Sequence, residues 1–312
     1  MPIIAFSLLV HESSLCILDE VKNILLYNPN SLVVLHFNPK FRNNEELGKD
    51  KLISLLSKDK RVIVNPHPVS VSLDNIIQGH ISNYECIAQM DFKYFYLISS
   101  NELFVHSGAE EFVQQYDYGC RKRKDDHWVY FDKMCQDEAL ERIINASPKE
   151  NYILSQVEGS FYSKPIFDEM YKKIKDSFNP DKQNVVYPRE EIFFPTIACN
   201  DFTYKNRYDG CLCYINWKKG LFISLKEIKK TITSDSLFSV KRINRSYQDY
   251  LRQYIRNYLV TNNNNILQEW NDALPKEKPS KAIIYFKNIY WCTFFCIRSF
   301  LADIKHCITK KH

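Results

Sequence analysis

Short apolar runs alternate with helical patterns over the first hundred residues, and this alternation limits the fold more than any other feature of the sequence. The apolar runs lie at residues 3–10, 32–37, 61–64 and 94–98. Segments with helical periodicity lie between them, at residues 14–27, 52–56 and 74–90. A repeated strand–helix–strand order predicts an α/β fold with a Rossmann-type, mostly parallel sheet flanked by helices. In such sheets ligands bind at the carboxyl ends of the strands, beside a switch in strand order.

The sequence becomes less regular after residue 100 and changes character near residue 246. A further strand is predicted at residues 152–157, a strand or strand-like turn at residues 237–241, and further helices at residues 165–174 and 224–232. We predict a first domain at residues 1–245 and a C-terminal helical segment at residues 246–312. The end of this segment, residues 281–308, combines aromatic residues with basic flanks. It fits an interfacial helix on an anionic membrane, and it also fits a helix packed on protein.

The charge and the cysteines narrow the class of protein. The formal net charge of +5 over 312 residues is low for a dedicated nucleic-acid binder. The 10 cysteines do not form paired C-x-x-C motifs at zinc spacing, which favours free thiols in a reducing compartment. The N-terminal residues lack the pattern of a signal peptide, and no stretch of eighteen residues is uninterruptedly apolar. We therefore expect a cytoplasmic protein, with peripheral contact at the inner face of the cell membrane as one alternative for the C-terminal segment.

Polar residues stand at the ends of several predicted strands and at the start of a predicted helix, in a particular order along the chain. They are His11 after the first strand, Glu102 after residues 94–98, Gly159-Ser160, Glu190-Glu191 within residues 188–196, and Lys241-Arg242 within residues 236–242. In this order the patterns resemble those of the core-2/I-branching β-1,6-N-acetylglucosaminyltransferase and peptide O-xylosyltransferase family. The family usually has Asp at the position of Asn38 and Gly at that of Ser100, and Arg242 is a further departure. The chain therefore resembles a distant, bacterial-type member.

The resemblance implies a GT-A-like fold and a metal-independent, inverting glycosyltransferase that uses a nucleotide-sugar donor, most simply a UDP-sugar. It sets Glu191 at the family's catalytic base, with Glu190 as the alternative carboxylate one step along the helix. It sets Lys241 at the lysine that holds the donor diphosphate. Either Lys218 or Lys219 falls at the spacing of a second basic residue.

The residue types suit this chemistry. Inverting transfer needs a carboxylate that accepts the proton of the acceptor hydroxyl, opposite a leaving nucleotide. Many transferases neutralise the leaving diphosphate with a metal held by Asp-x-Asp, but Ser100-Asn101-Glu102 follows the fourth strand here. Lysine side chains bind phosphate as point charges and can replace the metal. We therefore predict that the protein needs no metal and no other cofactor.

Several further residues are candidates for contact with the donor or the acceptor. Glu102 is expected to bind substrate hydroxyls or to face water, and His11 to contact the nucleotide or to be a satisfied core residue. Trp217 follows a strand-like run, so it either stacks on a sugar or packs in the core. Gly159, Ser160 and Arg242 are carried over from the resemblance alone.

The predicted function is transfer of a sugar from a nucleotide sugar to a glycan or lipid-linked saccharide during synthesis of a surface polysaccharide or lipopolysaccharide. No nucleic-acid partner is expected, and oligomerisation stays open. The alternative is a non-catalytic protein that binds nucleotide sugars or glycans on the same fold, because fold alone does not imply chemistry.

Overall fold

The computed structural model describes residues 1–39, 41, 47–72, 75–123, 128–149, 151–177, 186–216 and 223–260. The strands are β1 (Ile4–Val10), β2 (Leu32–Phe37), β3 (Val62–Val64), β4 (Tyr94–Ile98), β5 (Glu102–Phe104), β6 (Tyr118–Gly119), β7 (Ser160–Ser163), β8 (Arg207–Tyr208), β9 (Cys213–Ile215) and β10 (Ser239–Lys241). The helices are α1 (Ser14–Tyr27), α2 (Lys49–Leu56), α3 (Ile76–Ile87), α4 (Ala109–Val113), α5 (Phe131–Met134), α6 (Glu138–Asn145), α7 (Lys164–Ser177), α8 (Glu190–Asp201), α9 (Leu225–Ile232) and α10 (Tyr250–Val260).

A seven-stranded sheet organises the fold, in the order β3-β2-β1-β4-β7-β6-β8. Strands β3, β2, β1 and β4 are parallel neighbours, whereas β7 runs antiparallel to both β4 and β6. A smaller sheet has the order β5-β10-β9. The predicted α/β class with a mostly parallel sheet is therefore confirmed. Because the chain passes from β1 to β2 on one side and returns to β4 on the other, the carboxyl ends of β1 and β4 form a switch point.

The apolar runs become strands that are covered on both faces. Every residue of β1 and β2 is buried, as expected of parallel strands between two layers of helices. Phe6 and Leu8 belong to the same apolar cluster as Ile17 of α1. Ala5 belongs to a second cluster, together with Ile77 of α3. The strongest sequence signals therefore correspond to the centre of the sheet.

The segment at residues 152–157 is not the strand that its apolar pattern predicts. Only an isolated bridge joins Leu154 to Arg123. Other hydrogen bonds tie the segment to α8. The Ser155 N–H donates to the Glu191 carbonyl (2.9 Å), and the Ile153 N–H donates to Thr196 Oγ1 (2.9 Å). The backbone polar groups are thus satisfied by a helix and not by a neighbouring strand.

Helix α10 lies against α1 through a buried ion pair. Arg252 is fully buried and its Nη1 lies 3.1 Å from Asp19 Oδ2, while its Nε donates to the Asn244 carbonyl. The domain boundary at residue 245 stays a prediction, and residues 261–312, including the aromatic and basic segment, lie outside the described residues. Among the helices that the structure describes, none has both the length and the apolar character needed to cross a membrane.

Candidate active site

A cleft of about 120 Å³ opens at the switch point between β1 and β4. Its residues come from the ends of β1, β4 and β10, from the turn before β7, and from helices α3 and α8. They are Leu9, His11, Ile76, His80, Ile98, Ser99, Ser100, Val157, Glu158, Glu190, Glu191 and Lys241. The cleft thus brings together His11, Glu190, Glu191 and Lys241, which sequence patterns far apart in the chain had each suggested.

A buried polar network fixes the start of α8, where the two glutamates lie. Arg189 Nε donates to Asp137 Oδ2 (2.6 Å), and the Tyr187 hydroxyl donates to the same oxygen (2.8 Å). Asp137 Oδ1 in turn accepts the Ala139 and Leu140 N–H groups and caps α6. The first turn of α8 is therefore held to α6 immediately before Glu190.

Burial raises the pKa of both glutamates. The pKa of Glu191 is raised to about 7, by burial first and by the nearby Glu158 charge second, while Lys241 acts to lower it. Burial raises the pKa of Glu190 well above its ordinary value, and Glu190 Oε2 is buried without a hydrogen-bond partner. Burial thus favours the protonated form of Glu190, whereas the pKa of Glu191 lies in the range useful to a general base. The electrostatics favour Glu191 for that role.

Lys241 forms an ion pair with Glu158, a residue that the sequence patterns missed. The two side chains are only 15% and 17% exposed. Burial acts to raise the pKa of Glu158, but the Lys241 ammonium, together with a backbone hydrogen bond and the Arg242 charge, holds that pKa below its ordinary value. The cation at the cleft is thus already balanced by a carboxylate before any ligand enters.

Gly159 and Ser160 shape the turn that carries Glu158 and do not line the cleft themselves. Gly159 has φ = +80°, and a Cβ there would lie 2.3 Å from the Cys213 backbone nitrogen. The residue must therefore be glycine. Ser160 Oγ donates to the Val157 carbonyl (2.6 Å) and closes the turn. The one signal for Glu158 in the sequence was its position directly before this Gly-Ser pair.

Glu102 corrects an expectation, because the structure does not bring it to the cleft. Its side chain is fully buried, where its carboxylate accepts a hydrogen bond from Ser239 Oγ, and burial raises its pKa to about 7. Because the carboxylate is buried, it does not face water or the cleft. Its hydrogen bond with Ser239 instead connects β5 to β10. Arg242 does not line the cleft either, although its charge lowers the pKa of Glu191. Trp217, Lys218 and Lys219 lie outside the described residues.

A second cavity of about 270 Å³ adjoins the cleft and shares Glu191 with it. Its other lining residues are Arg121, Arg123, Trp128, Val129, Leu154, Ser155 and Gln156. None of these was a sequence candidate. Arg121 and Arg123 lie within the charged run at residues 120–126, Trp128 and Val129 follow it, and the others belong to the segment mistaken for a strand. Glu191 therefore lines both spaces.

Within the described residues, no group of three or more His, Cys, Asp or Glu side chains is arranged to hold a metal ion. The expectation that no metal is needed stays a prediction, which the ligand titrations proposed below test directly.

Replacing Glu158 by Gln is expected to lower the pKa of Glu191, because it removes a negative charge that raises that pKa and frees Lys241 to lower it further. Carbon-13 NMR titration of glutamate carboxyls, assigned with Glu191→Gln, measures the change. The matched control is Glu169→Gln on the exposed surface of α7, which should leave the titration unchanged. If the pKa of Glu191 is unchanged or raised in Glu158→Gln, then Glu158, Lys241 and Glu191 are not electrostatically coupled in this way.

Comparisons with known proteins add little to this geometry. No protein-family model matches the chain, and no curated protein matches it. Among solved structures, the chain is similar to a nucleoside-diphosphate-sugar pyrophosphorylase from Vibrio cholerae RC9, with 9% identity and a TM-score of 0.38. The similarity covers 66% of this chain and 90% of that chain. A likeness this low carries no argument, so the fold class rests on the strand order and the site on its side chains.

Proposed function

We propose that the protein is an inverting glycosyltransferase, which moves a sugar from a nucleotide-sugar donor, most simply a UDP-sugar, to a saccharide acceptor. The observation that carries this proposal is one cleft at the β1–β4 switch point that contains both Glu191, with its pKa of about 7, and Lys241. The ordered resemblance to the core-2/I-branching and peptide O-xylosyltransferase family supports it independently.

In the proposed reaction, Glu191 accepts the proton of the acceptor hydroxyl while that oxygen bonds to the anomeric carbon of the donor. The bond from the anomeric carbon to the diphosphate oxygen breaks on the opposite face, and its electron pair leaves with the nucleotide. Lys241 stabilises the charge that develops on the diphosphate. Burial favours the protonated form of Glu190, and in this scheme its O–H donates a hydrogen bond to the donor sugar.

The Glu158–Lys241 ion pair adds a condition to this scheme. A diphosphate can bind Lys241 fully only by replacing or sharing the contact with Glu158. Either Lys218 or Lys219 remains the proposed second cation. The proposed acceptor is a glycan or lipid-linked saccharide of surface polysaccharide or lipopolysaccharide synthesis, in a cytoplasmic enzyme that contacts the membrane through its C-terminal segment or packs that segment on protein.

Nucleotide binding in excess chelator tests the proposal. A panel of free nucleotides and nucleotide sugars is titrated while the unfolding temperature is measured, since a ligand at 100 times its Kd stabilises the native state by about 2.7 kcal/mol. We expect a uridine nucleotide to raise the unfolding temperature of the full chain without metal. Lys241→Ala should abolish the shift, and Lys229→Ala, which removes an exposed charge on α9, should retain it. Binding that requires a divalent ion, or that survives Lys241→Ala, would refute the lysine mechanism.

A non-catalytic protein that binds nucleotide sugars is the second candidate, because the Glu158–Lys241 pair already neutralises the cation of the cleft. Mass spectrometry of the bound nucleotide sugar separates the two functions. Slow release of free sugar and nucleoside diphosphate supports a transferase. A donor that stays intact over days, with and without saccharide acceptors, supports the binding protein.

A further inference from the structure

We propose that the cavity lined by Arg121, Arg123 and Trp128 binds the acceptor, and that this acceptor is a saccharide carrying an anionic group, a carboxylate or a phosphate, close to its reacting hydroxyl. The assignment as the acceptor subsite rests on the proposed function. The anionic character of the ligand rests on the cavity itself.

The position of the cavity gives it access to the proposed base. Glu191 is the residue that lines both this cavity and the cleft at β1 and β4. A saccharide in the cavity and a donor in the cleft therefore both lie against Glu191. This is the arrangement in which a base removes a proton from one ligand as that ligand attacks the second.

The backbone around the cavity holds the two arginines in register with Glu191. The Arg121 N–H donates to Ser155 Oγ (3.0 Å), and Arg123 and Leu154 exchange backbone hydrogen bonds at 3.2 and 2.8 Å. Ser155 is itself bound to the Glu191 carbonyl. Leu154 and Ser155 thus link the segment that contains Arg121 and Arg123 to the first turn of α8.

The side chains define the chemistry of the ligand. Guanidinium groups bind carboxylates and phosphates in a planar, two-pronged manner that a neutral sugar cannot match. Both arginines are exposed, and the Arg123 charge lowers the pKa of Glu191. The half-buried Trp128 indole offers an apolar face to a sugar ring.

The size of the cavity fits a small ligand. A volume of about 270 Å³ is close to the lower end of the roughly 300–1,000 Å³ typical of small-molecule sites. One sugar residue with its charged substituent suits this space, with the rest of a longer glycan extending into solvent.

Matched pairs of saccharides test the inference on the full-chain protein. Isothermal titration compares methyl β-glucuronide with methyl β-glucoside, and glucose 6-phosphate with glucose. We expect at least one charged member to bind about 10-fold tighter than its neutral partner, as a charge-assisted hydrogen bond of about 1.4 kcal/mol would give. Preference for the glucuronide identifies an acidic sugar as the ligand, and preference for the phosphate identifies a phosphorylated one.

Substitutions locate the binding. The double variant Arg121→Gln/Arg123→Gln should remove the preference for the charged saccharide. Lys122→Gln is the matched control, because it removes the same charge from the exposed residue between the two arginines, which does not line the cavity. Equal binding of charged and neutral saccharides to the wild-type protein overturns the inference, and so does an equal loss in Lys122→Gln.

Titration of the same variants with UDP separates this inference from the proposed function. The double variant should keep the shift in unfolding temperature that UDP produces. If it loses that shift instead, the arginines serve the donor and the inference is overturned. If wild-type protein ignores every nucleotide but keeps the arginine-dependent preference for charged saccharides, the proposed function fails and the anionic saccharide site stands.

Discussion

Replacing Glu191 by Gln is expected to lower the rate of sugar transfer at pH 7 by about 10²–10⁴-fold, the usual contribution of a general base. The substitution keeps the shape of the side chain but removes its ability to accept a proton. It also removes a carboxylate whose burial raises its pKa, so the folded state should not be weakened. Initial rates in excess chelator, followed by mass spectrometry of the transferred sugar, measure the loss.

The pH dependence of kcat/KM should identify the same group. A base must be ionised to act, so the rate of the wild-type enzyme should rise with pH through the Glu191 pKa of about 7 and level off above it. Glu190→Gln should lose less than Glu191→Gln, because burial favours the protonated form of Glu190 and an amide can replace its hydrogen bond. A larger loss in Glu190→Gln, or a Glu191→Gln enzyme that keeps its rate, would assign the base to Glu190.

Asp137→Ala is expected to lower the free energy of unfolding by about 3–5 kcal/mol, the usual result of removing one partner from a buried ion pair. Arg189 is only 2% exposed, so its guanidinium would lose the Asp137 carboxylate in a place that water scarcely reaches. The Tyr187 hydroxyl would lose its acceptor, and α6 would lose its N-cap. Urea unfolding followed by circular dichroism measures the change.

The control for this prediction is the neighbouring Glu138→Ala. The Glu138 side chain is 75% exposed and pairs with Arg142 on the surface, so we expect a change within about 1 kcal/mol. A loss in Asp137→Ala no greater than that of the control would show that the network does not fix the start of α8. Glu190 and Glu191 directly follow Arg189 in the chain. The Asp137→Ala variant should therefore also lower the rate of sugar transfer at urea concentrations below its unfolding midpoint, where it is still folded.

The central strands could be predicted because their sequence signal is local. Buried parallel strands are apolar on both faces, and residues 32–37 and 94–98 therefore coincide with β2 and β4. Residues 152–157 have a similar composition, but their backbone groups form hydrogen bonds to Glu191 and Thr196 of α8, which lie far along the chain. Periodicity alone cannot distinguish an apolar segment that pairs with a strand from one that lies along a helix.

The candidate site could be predicted only in part, for a related reason. Glu190, Glu191, Lys241 and His11 belong to recognisable patterns, and the fold brings them to one cleft. Glu102 belongs to such a pattern too, but its side chain is buried and hydrogen-bonded to Ser239. Glu158 carries little signal of its own, because its importance comes from Lys241, 83 residues away.

The small sheet that contains Lys241 has a consequence for the order in which the molecule assembles. Strand β10 pairs with β5, and Ser239 reaches Glu102 across 137 residues of sequence. Contacts at such separations form slowly, because the chain must close a long loop before it gains them. During synthesis, strands β1 to β4 can therefore fold into a sheet while the cleft still lacks Lys241. The nascent chain should therefore gain binding competence only after β4 has folded, when β10 joins β5 and Lys241 reaches Glu158.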